Sequence, residues 1–182
     1  MKHLSLSELE AGLAKITESP ADAGTVELIV CRPSMGAREA VDLGELDIAQ
    51  GLVGDNWATR GSPKTSDGSA HPDMQLNIMN SRSAALIAQT KNRWQLAGDQ
   101  FYVDLDLSDS NLPPGTMLQI GEAEIEVTAM PHLGCKKFVE RFGRDAMRFV
   151  NSKIGKSLNL RGINARVVRG GPVRTGDTVR KI

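Results

Sequence analysis

The stretch Thr116-Met117-Leu118-Gln119-Ile120-Gly121-Glu122-Ala123-Glu124-Ile125-Glu126-Val127-Thr128, entered through the turn Asn111-Leu112-Pro113-Pro114-Gly115, decides the fold class. Ala123, Ile125 and Val127 point one way and Glu122, Glu124 and Glu126 the other, the period of two of a strand with one buried and one wet face. The same kind of signal recurs along the chain. Val26-Glu27-Leu28-Ile29-Val30, ended by Cys31, is nearly continuous in apolar residues and predicts a buried strand over 24–32, stopped by Arg32-Pro33. Residues 74–79 alternate and predict a half-buried strand, and Gln100–Leu107, Ile163–Val168 and a short closing strand led by Gly176-Asp177-Thr178-Val179 add three more. Gly170-Gly171-Pro172 reads as a turn.

Three helical segments interrupt these strands. Residues 5–17 carry capping-box spacing at Ser5/Glu8 and Ser7/Glu10, with Leu6, Leu9, Leu13 and Ile16 on one face. Asn80 or Ser81 caps a second helix reaching about Lys91. A third follows Cys135 to about Val150 and buries Phe138, Phe142, Ala146 and Phe149. Strands and helices do not alternate regularly, so a doubly wound parallel sheet is disfavoured. The expected architecture is a β-rich α+β fold, a β-barrel with helical insertions. The 182 residues suggest a helical extension over 1–22 and a barrel domain over 23–182. Residues 41–73, rich in Gly, Ser, Asp and Pro, read as a long structureless loop, either over a site or as a surface excursion.

Composition excludes several classes. Apolar content of 40% argues against disorder, and no apolar run approaches the roughly 20 residues that span a bilayer. The N-terminus lacks a secretory apolar segment and the two cysteines make no disulfide framework, so a reducing, cytoplasmic setting is expected. Residues 132–182 hold 13 Lys/Arg against Glu140, Asp145 and Asp177, a net +10 in a chain whose 22 basic and 22 acidic residues cancel. Either this third meets an anionic partner or the acidic remainder neutralises it internally. Asp104-Leu105-Asp106 begins like a calcium loop but lacks its glycine and its glutamate. No phosphate-binding glycine motif or zinc spacing occurs. Aromatic content of 4% gives no stacking surface, so neither nucleic acid nor membrane is expected as a partner.

Cys135 is the main candidate for chemistry. It stands at the predicted start of the third helix, where unpaired N–H groups, the helix dipole, Lys136 and Lys137 favour the thiolate that attacks electrophiles or binds a soft metal. The alternative is that it fills space, which is the reading for Cys31. His132, three residues upstream, either shares the site or is structural, and His71 is a weaker acid–base candidate. Lys137, Arg141, Arg144 and Arg148 recur along one face of the third helix.

Pro131-His132-Leu133-Gly134-Cys135-Lys136-Lys137-Phe138, with Arg141-Phe142-Gly143-Arg144-Asp145-Ala146, resembles the cysteine-bearing core of MOSC domains, named after the C-terminal domain of molybdenum cofactor sulfurases. The similarity continues through Leu160-Arg161-Gly162-Ile163-Asn164-Ala165-Arg166-Val167-Val168 and Gly176-Asp177. Gly51-Leu52-Val53-Gly54-Asp55 resembles the family's glycine–aspartate loop, and His71 to Asn80 its next strand. The resemblance implies a MOSC-type β-barrel over 23–182 and a working Cys135. That cysteine would ligate molybdenum in the molybdenum cofactor (molybdopterin) or carry sulfur as a persulfide. It implies catalysis by Cys135 and His132, with reduction of N-hydroxylated compounds or sulfur transfer as the reaction. Gly54, Asp55, Lys136, Arg141, Arg144, Arg148, Arg161 and Arg166 become candidates for holding the anionic cofactor. A cysteine desulfurase as sulfur donor, or a redox protein, would be the partner. The pyridoxal-phosphate desulfurase domain of full sulfurases, and the separate N-terminal barrel of amidoxime-reducing relatives, have no counterpart in this sequence, which reads as a stand-alone form. The other class of function is a non-catalytic module binding an anionic metabolite or a protein.

Overall fold

The structure, a computed structural model, describes residues 2–182. Two short helices, α1 (Leu6–Ala11) and α2 (Leu13–Thr17), open the chain. The α1 capping box forms as expected, with the Ser5 amide donating to Glu8 Oε2 at 2.7 Å and the Glu8 amide donating to Ser5 Oγ. Then come β1 (Gly24–Cys31), β2 (Glu39–Val41), β3 (Leu43–Asp47), β4 (Gly51–Leu52), α3 (Trp57–Arg60), β5 (Leu76–Asn80), α4 (Ser81–Ala88) and β6 (Phe101–Asp104). β7 (Met117–Ile120), β8 (Ala123–Val127), α5 (Lys136–Asn151), α6 (Lys153–Ser157), β9 (Ile163–Arg169), β10 (Gly171–Arg174) and β11 (Thr178–Lys181) complete the order.

Seven strands close into a barrel in the order β11-β7-β8-β9-β5-β6-β1, with β1 returning to β11 through Gly24 opposite Val179 and Thr25 opposite Thr178. Only β5 and β6 run parallel among these pairs, and α4 with a 3-10 helix at Lys91–Ala97 makes the crossover that parallel pairing requires. A slip in register between Val26 and Leu28 lets Val26 and Ile29 both enter the barrel interior. Leu76, Ile78, Phe101, Val103, Ile125 and Ala165 fill the same interior. Outward residues of the same strands, Val30, Met79 and Tyr102, pack against Leu9, Trp94, Phe138, Phe142 and Phe149 of the helical layer.

The β-rich barrel expected from alternation is therefore present, and four local expectations need correction. The stretch read as structureless between 41 and 73 contributes β3 and β4, which join β10 in a separate three-stranded sheet. Its Leu46, Leu52 and Val173 are buried against the barrel core. Strands this short draw their stability from pairing, which composition does not reveal. β10 occupies the segment read as a turn. β5 is buried on both faces, because one faces the barrel interior and the other the helices. Finally, α5 is two helical pieces. Gly143 sits at φ +88°, ψ 168° and breaks it, so the basic residues before and after this point do not share one stripe.

Gly162 shows how tightly β9 enters beside β5. Its φ is +118°, and a Cβ there would collide with the Ile78 carbonyl oxygen. Gly162→Ala is expected to destabilise the protein by about 2–3 kcal/mol through overpacking and backbone strain. Thermal melts check this, and an unchanged melting temperature would show that the β5–β9 contact yields without cost.

Candidate functional site

Two buried ion pairs fix the loops around Cys135. Where β1 ends before Pro33, Arg32 clamps Asp55 with Nε on Oδ2 at 2.7 Å and Nη2 on Oδ1 at 2.9 Å. The backbone amides of Arg32 and Trp57 also donate to this carboxylate, both at 3.0 Å. Arg32 Nη1 reaches Asn77 Oδ1 and the Gly98 carbonyl. Asp55 thus anchors the glycine loop and the start of α3. In the second cluster Arg161 Nη1 donates to Asp99 at 2.7 and 2.9 Å and Nη2 to the Ala97 carbonyl, while His132 Nε2 lies 2.7 Å from Asp99 Oδ1.

Protonation within the second cluster follows from its surroundings. Burial first, then the Arg161 cation, hold His132 below its ordinary value of 6.5 despite Asp99. Burial alone would raise the Asp99 carboxyl, but Arg161 and His132 outweigh it and keep it below 3.8. Neutral His132 therefore donates its Nε2 proton to an ionised Asp99.

Cys135 caps α5 through its carbonyl, which accepts from the Phe138 and Val139 amides. Its thiol is exposed and takes no hydrogen bond from the first turn, so the intimate contact with free amides expected from sequence is not made. Gly134, immediately before it, exchanges hydrogen bonds with Asn151 in both directions. The cysteine borders a cleft of about 480 Å³ walled by Trp57, Arg60, Gly61–Pro63, His71, Met74, Lys136 and Lys137. The wall opposite α5 comes from the 41–73 region. His71 Nδ1 accepts the Asp73 amide and its carbonyl accepts Trp57 Nε1, which leaves Nε2 to carry the proton of the neutral ring.

The other candidate residues are dispersed. Gly54, at φ +84°, lies next to Cys31, whose thiol is half-buried and pushed up by burial, with Asp55 and Glu39 adding to it. Arg141 donates to the Leu96 carbonyl at 2.6 Å. Its Nη1 and Arg38 Nη2 stand 3.7 and 3.6 Å from where a Cβ would sit on Gly98. Burial first, then repulsion from Arg141 and Arg32, lower Arg38, and its Nε is buried without a partner. Arg144 lines a separate depression with His3 and Ser5. Arg148 is exposed beside Asp145, and Arg166 pairs with Glu126 at 2.7 Å on the sheet surface. Lys136 is at the Cys135 cleft, whereas Arg161 is buried against Asp99.

Sequence reasoning passed over Arg32, Arg38, Trp57, Arg60 and Asp99. A charge two residues ahead of an apolar strand, as Asp99 stands before β6, was the available signal for one of them. Among the described residues no group of three or more His, Cys, Asp or Glu could hold a metal, and no helix is long and apolar enough to cross a membrane.

A family model described as MOSC domain matches residues 65–180. No curated protein matches the sequence. The YuaD protein of Bacillus subtilis is similar in structure, with a TM-score of 0.60 at 17% identity over 86% of this chain and 94% of that one. YiiM of Escherichia coli gives 0.56 at 22% identity over 87% and 69%. YiiM of Geobacillus stearothermophilus gives 0.55 at 14% identity over 89% and 73%. At these identities the structural likeness speaks for the fold.

Asp55→Ala is expected to cost about 3–5 kcal/mol by stranding Arg32 in the interior, while Cys135→Ala at an exposed thiol stays within about 0.5 kcal/mol. Urea unfolding of the two variants beside the parent distinguishes them. Equal losses would mean that Arg32 finds other partners.

Asp99 and His132 both bind fewer protons folded than unfolded. Their contribution is complete above pH 6.5, declines as His132 is titrated below that value, and declines again below 3.8 as Asp99 is protonated. Unfolding free energy measured from about pH 7.5 to about pH 5 should fall, and a flat profile would remove His132 from this account.

Proposed function

The chain belongs to the MOSC domain family, and from that premise we propose that Cys135 is the working thiolate of a molybdenum-cofactor protein. The observation that carries this reading is the exposed Cys135 thiol in a cleft of about 480 Å³ rimmed by Arg60, Lys136 and Lys137. A thiolate suits a soft metal. The described residues assemble no other metal-ligating cluster at the cleft, which fits a metal that arrives with the sulfur donors of its own pterin. Bound there, the cofactor would supply a metal able to exchange electrons and oxygen with an N-hydroxylated substrate.

The protein's own groups have separable tasks in this reading. Cys135 holds the metal. Lys136, Lys137 and Arg60 attract the anionic ligand and set its orientation, while Trp57 offers a flat apolar wall. Arg38 and Arg141, which both approach Gly98 and join no ion pair among the described residues, would add further attraction for phosphate there. His71, with its proton on Nε2, is the donor at the cleft, and His132 is held by Asp99 as a support of the segment leading to Cys135. The same accessible thiol would serve sulfur carriage as a persulfide.

Protein purified without oxygen from a host that makes the cofactor is expected to contain molybdenum and pterin, and Cys135→Ala to contain far less molybdenum. Absence from both, with the host's other molybdoenzymes loaded, would overturn cofactor binding. Persulfide on Cys135 in that sample, detected by intact mass, would then identify sulfur carriage. Its absence as well would leave a binding module.

A further inference from the structure

A second cavity, of about 390 Å³, is lined by Pro131, His132 and Leu133 of the segment before Cys135, which does not itself line it. It is bounded by the ends of β8 and β9, by α6 and by the 109–114 loop. Leu112, Val127, Met130, Leu133, Val150 and Ile163 give it largely apolar walls. Lys156 and Asp109, both exposed, bring one charge of each sign to the lining, and four further polar side chains are engaged by the protein. Thr128 Oγ1 donates to the Asp73 carbonyl, Asn159 Nδ2 to the Leu107 carbonyl and Asp109, and Asn164 links Met130 to Asn77. Arg161 serves Asp99 and Ala97 through Nη1 and Nη2, while its Nε is buried without a partner. His132 differs. Its Nε2 is engaged with Asp99, but Nδ1 takes no partner from the described residues. Because the ring is neutral with its proton on Nε2, Nδ1 presents a lone pair.

We propose that this cavity is a second ligand site, for a small, uncharged and chiefly apolar molecule that donates one O–H or N–H hydrogen bond to His132 Nδ1. The volume lies within the range of small-molecule sites, and the pattern of apolar walls around a placed acceptor is theirs as well. The Asp99 carboxylate fixes the ring, so the acceptor is held in orientation before a ligand arrives. Arg161 is neutralised by Asp99, and the exposed Lys156 and Asp109 of the lining are of opposite sign, so the site carries no net preference for a charged ligand. Gly162 lies against the ring, its added Cβ being 3.0 Å from His132 Cδ2, which keeps that edge of the imidazole closed to solvent.

The probes are para-ethylphenol and para-ethylanisole, which share size and apolar character while only the first has a donor. Calorimetric titration of the full chain should show saturable binding of the phenol about fivefold or more tighter than the ether, the worth of one hydrogen bond. The His132 Nδ1 resonance in 15N spectra should move with the phenol and stay with the ether. Ala129→Trp, at an exposed wall position, should fill the mouth and abolish binding with the melting temperature kept. Cys135→Ala should bind as the parent does, which separates this proposal from the role given to the thiol. Equal affinity for the two probes, binding that persists in a folded Ala129→Trp, or an unmoved Nδ1 signal would each overturn the proposal.

Discussion

The turn Ala97-Gly98-Asp99 is where the molecule is tied together. Arg161 reaches the Ala97 carbonyl and the Asp99 carboxylate, Arg32 reaches the Gly98 carbonyl, and His132 closes on Asp99. One short turn thus joins the end of β1, the start of β9 and the segment leading to α5. Charges so deeply buried are tolerated only when paired, and once paired they resist displacement. Arg32 passes the constraint on to Asp55, and Asp55 to the first amide of α3, whose Trp57 and Arg60 wall the cleft. The position of the thiol relative to that wall is set from beneath by ion pairs that never touch it.

What could be read from the sequence was governed by range. The alternation of Ala123, Ile125 and Val127 against three glutamates is a local property, and β8 lies where it predicts, with Glu124 and Glu126 turned outward to Arg169 and Arg166. Ser5 and Glu8 likewise cap α1 from four adjacent residues. β3, β4 and β10 are legible only as a trio, because each is too short to show a period and gains its pairing from a distant segment. The break in α5 was missed because Gly143 is flanked by residues that continue the apolar face. Around the candidate site, Gly134 and the two lysines signalled a helix start at Cys135. Its neighbours Trp57, Arg60 and His71 belong to a far stretch whose folding over α5 leaves no trace in periodicity.

A formal charge of zero conceals how the basic third is used. Arg161, Arg166 and Arg169 are consumed by Asp99, Glu126 and Glu124, which is the internal neutralisation that charge counting alone left open. Lys136 and Lys137 join no ion pair among the described residues and stand at the mouth of the cleft. Arg38 and Arg141 both approach Gly98. Lys136 and Lys137 thereby set positive potential beside the exposed cysteine in a molecule of zero formal net charge.

Closure of the barrel joins Gly24 and Thr25 to Val179 and Thr178, nearly the full length of the chain apart. During synthesis, the Gly24–Thr25 end of β1 and one edge of β7 must wait unpaired until β11 has left the ribosome, since both bond to it. Loop closure of this span is an entropic cost met late, so folding should be slow and the growing chain prone to edge-to-edge association. For a nascent chain, the last four-residue strand is a clasp, and chaperone dependence would be decided there.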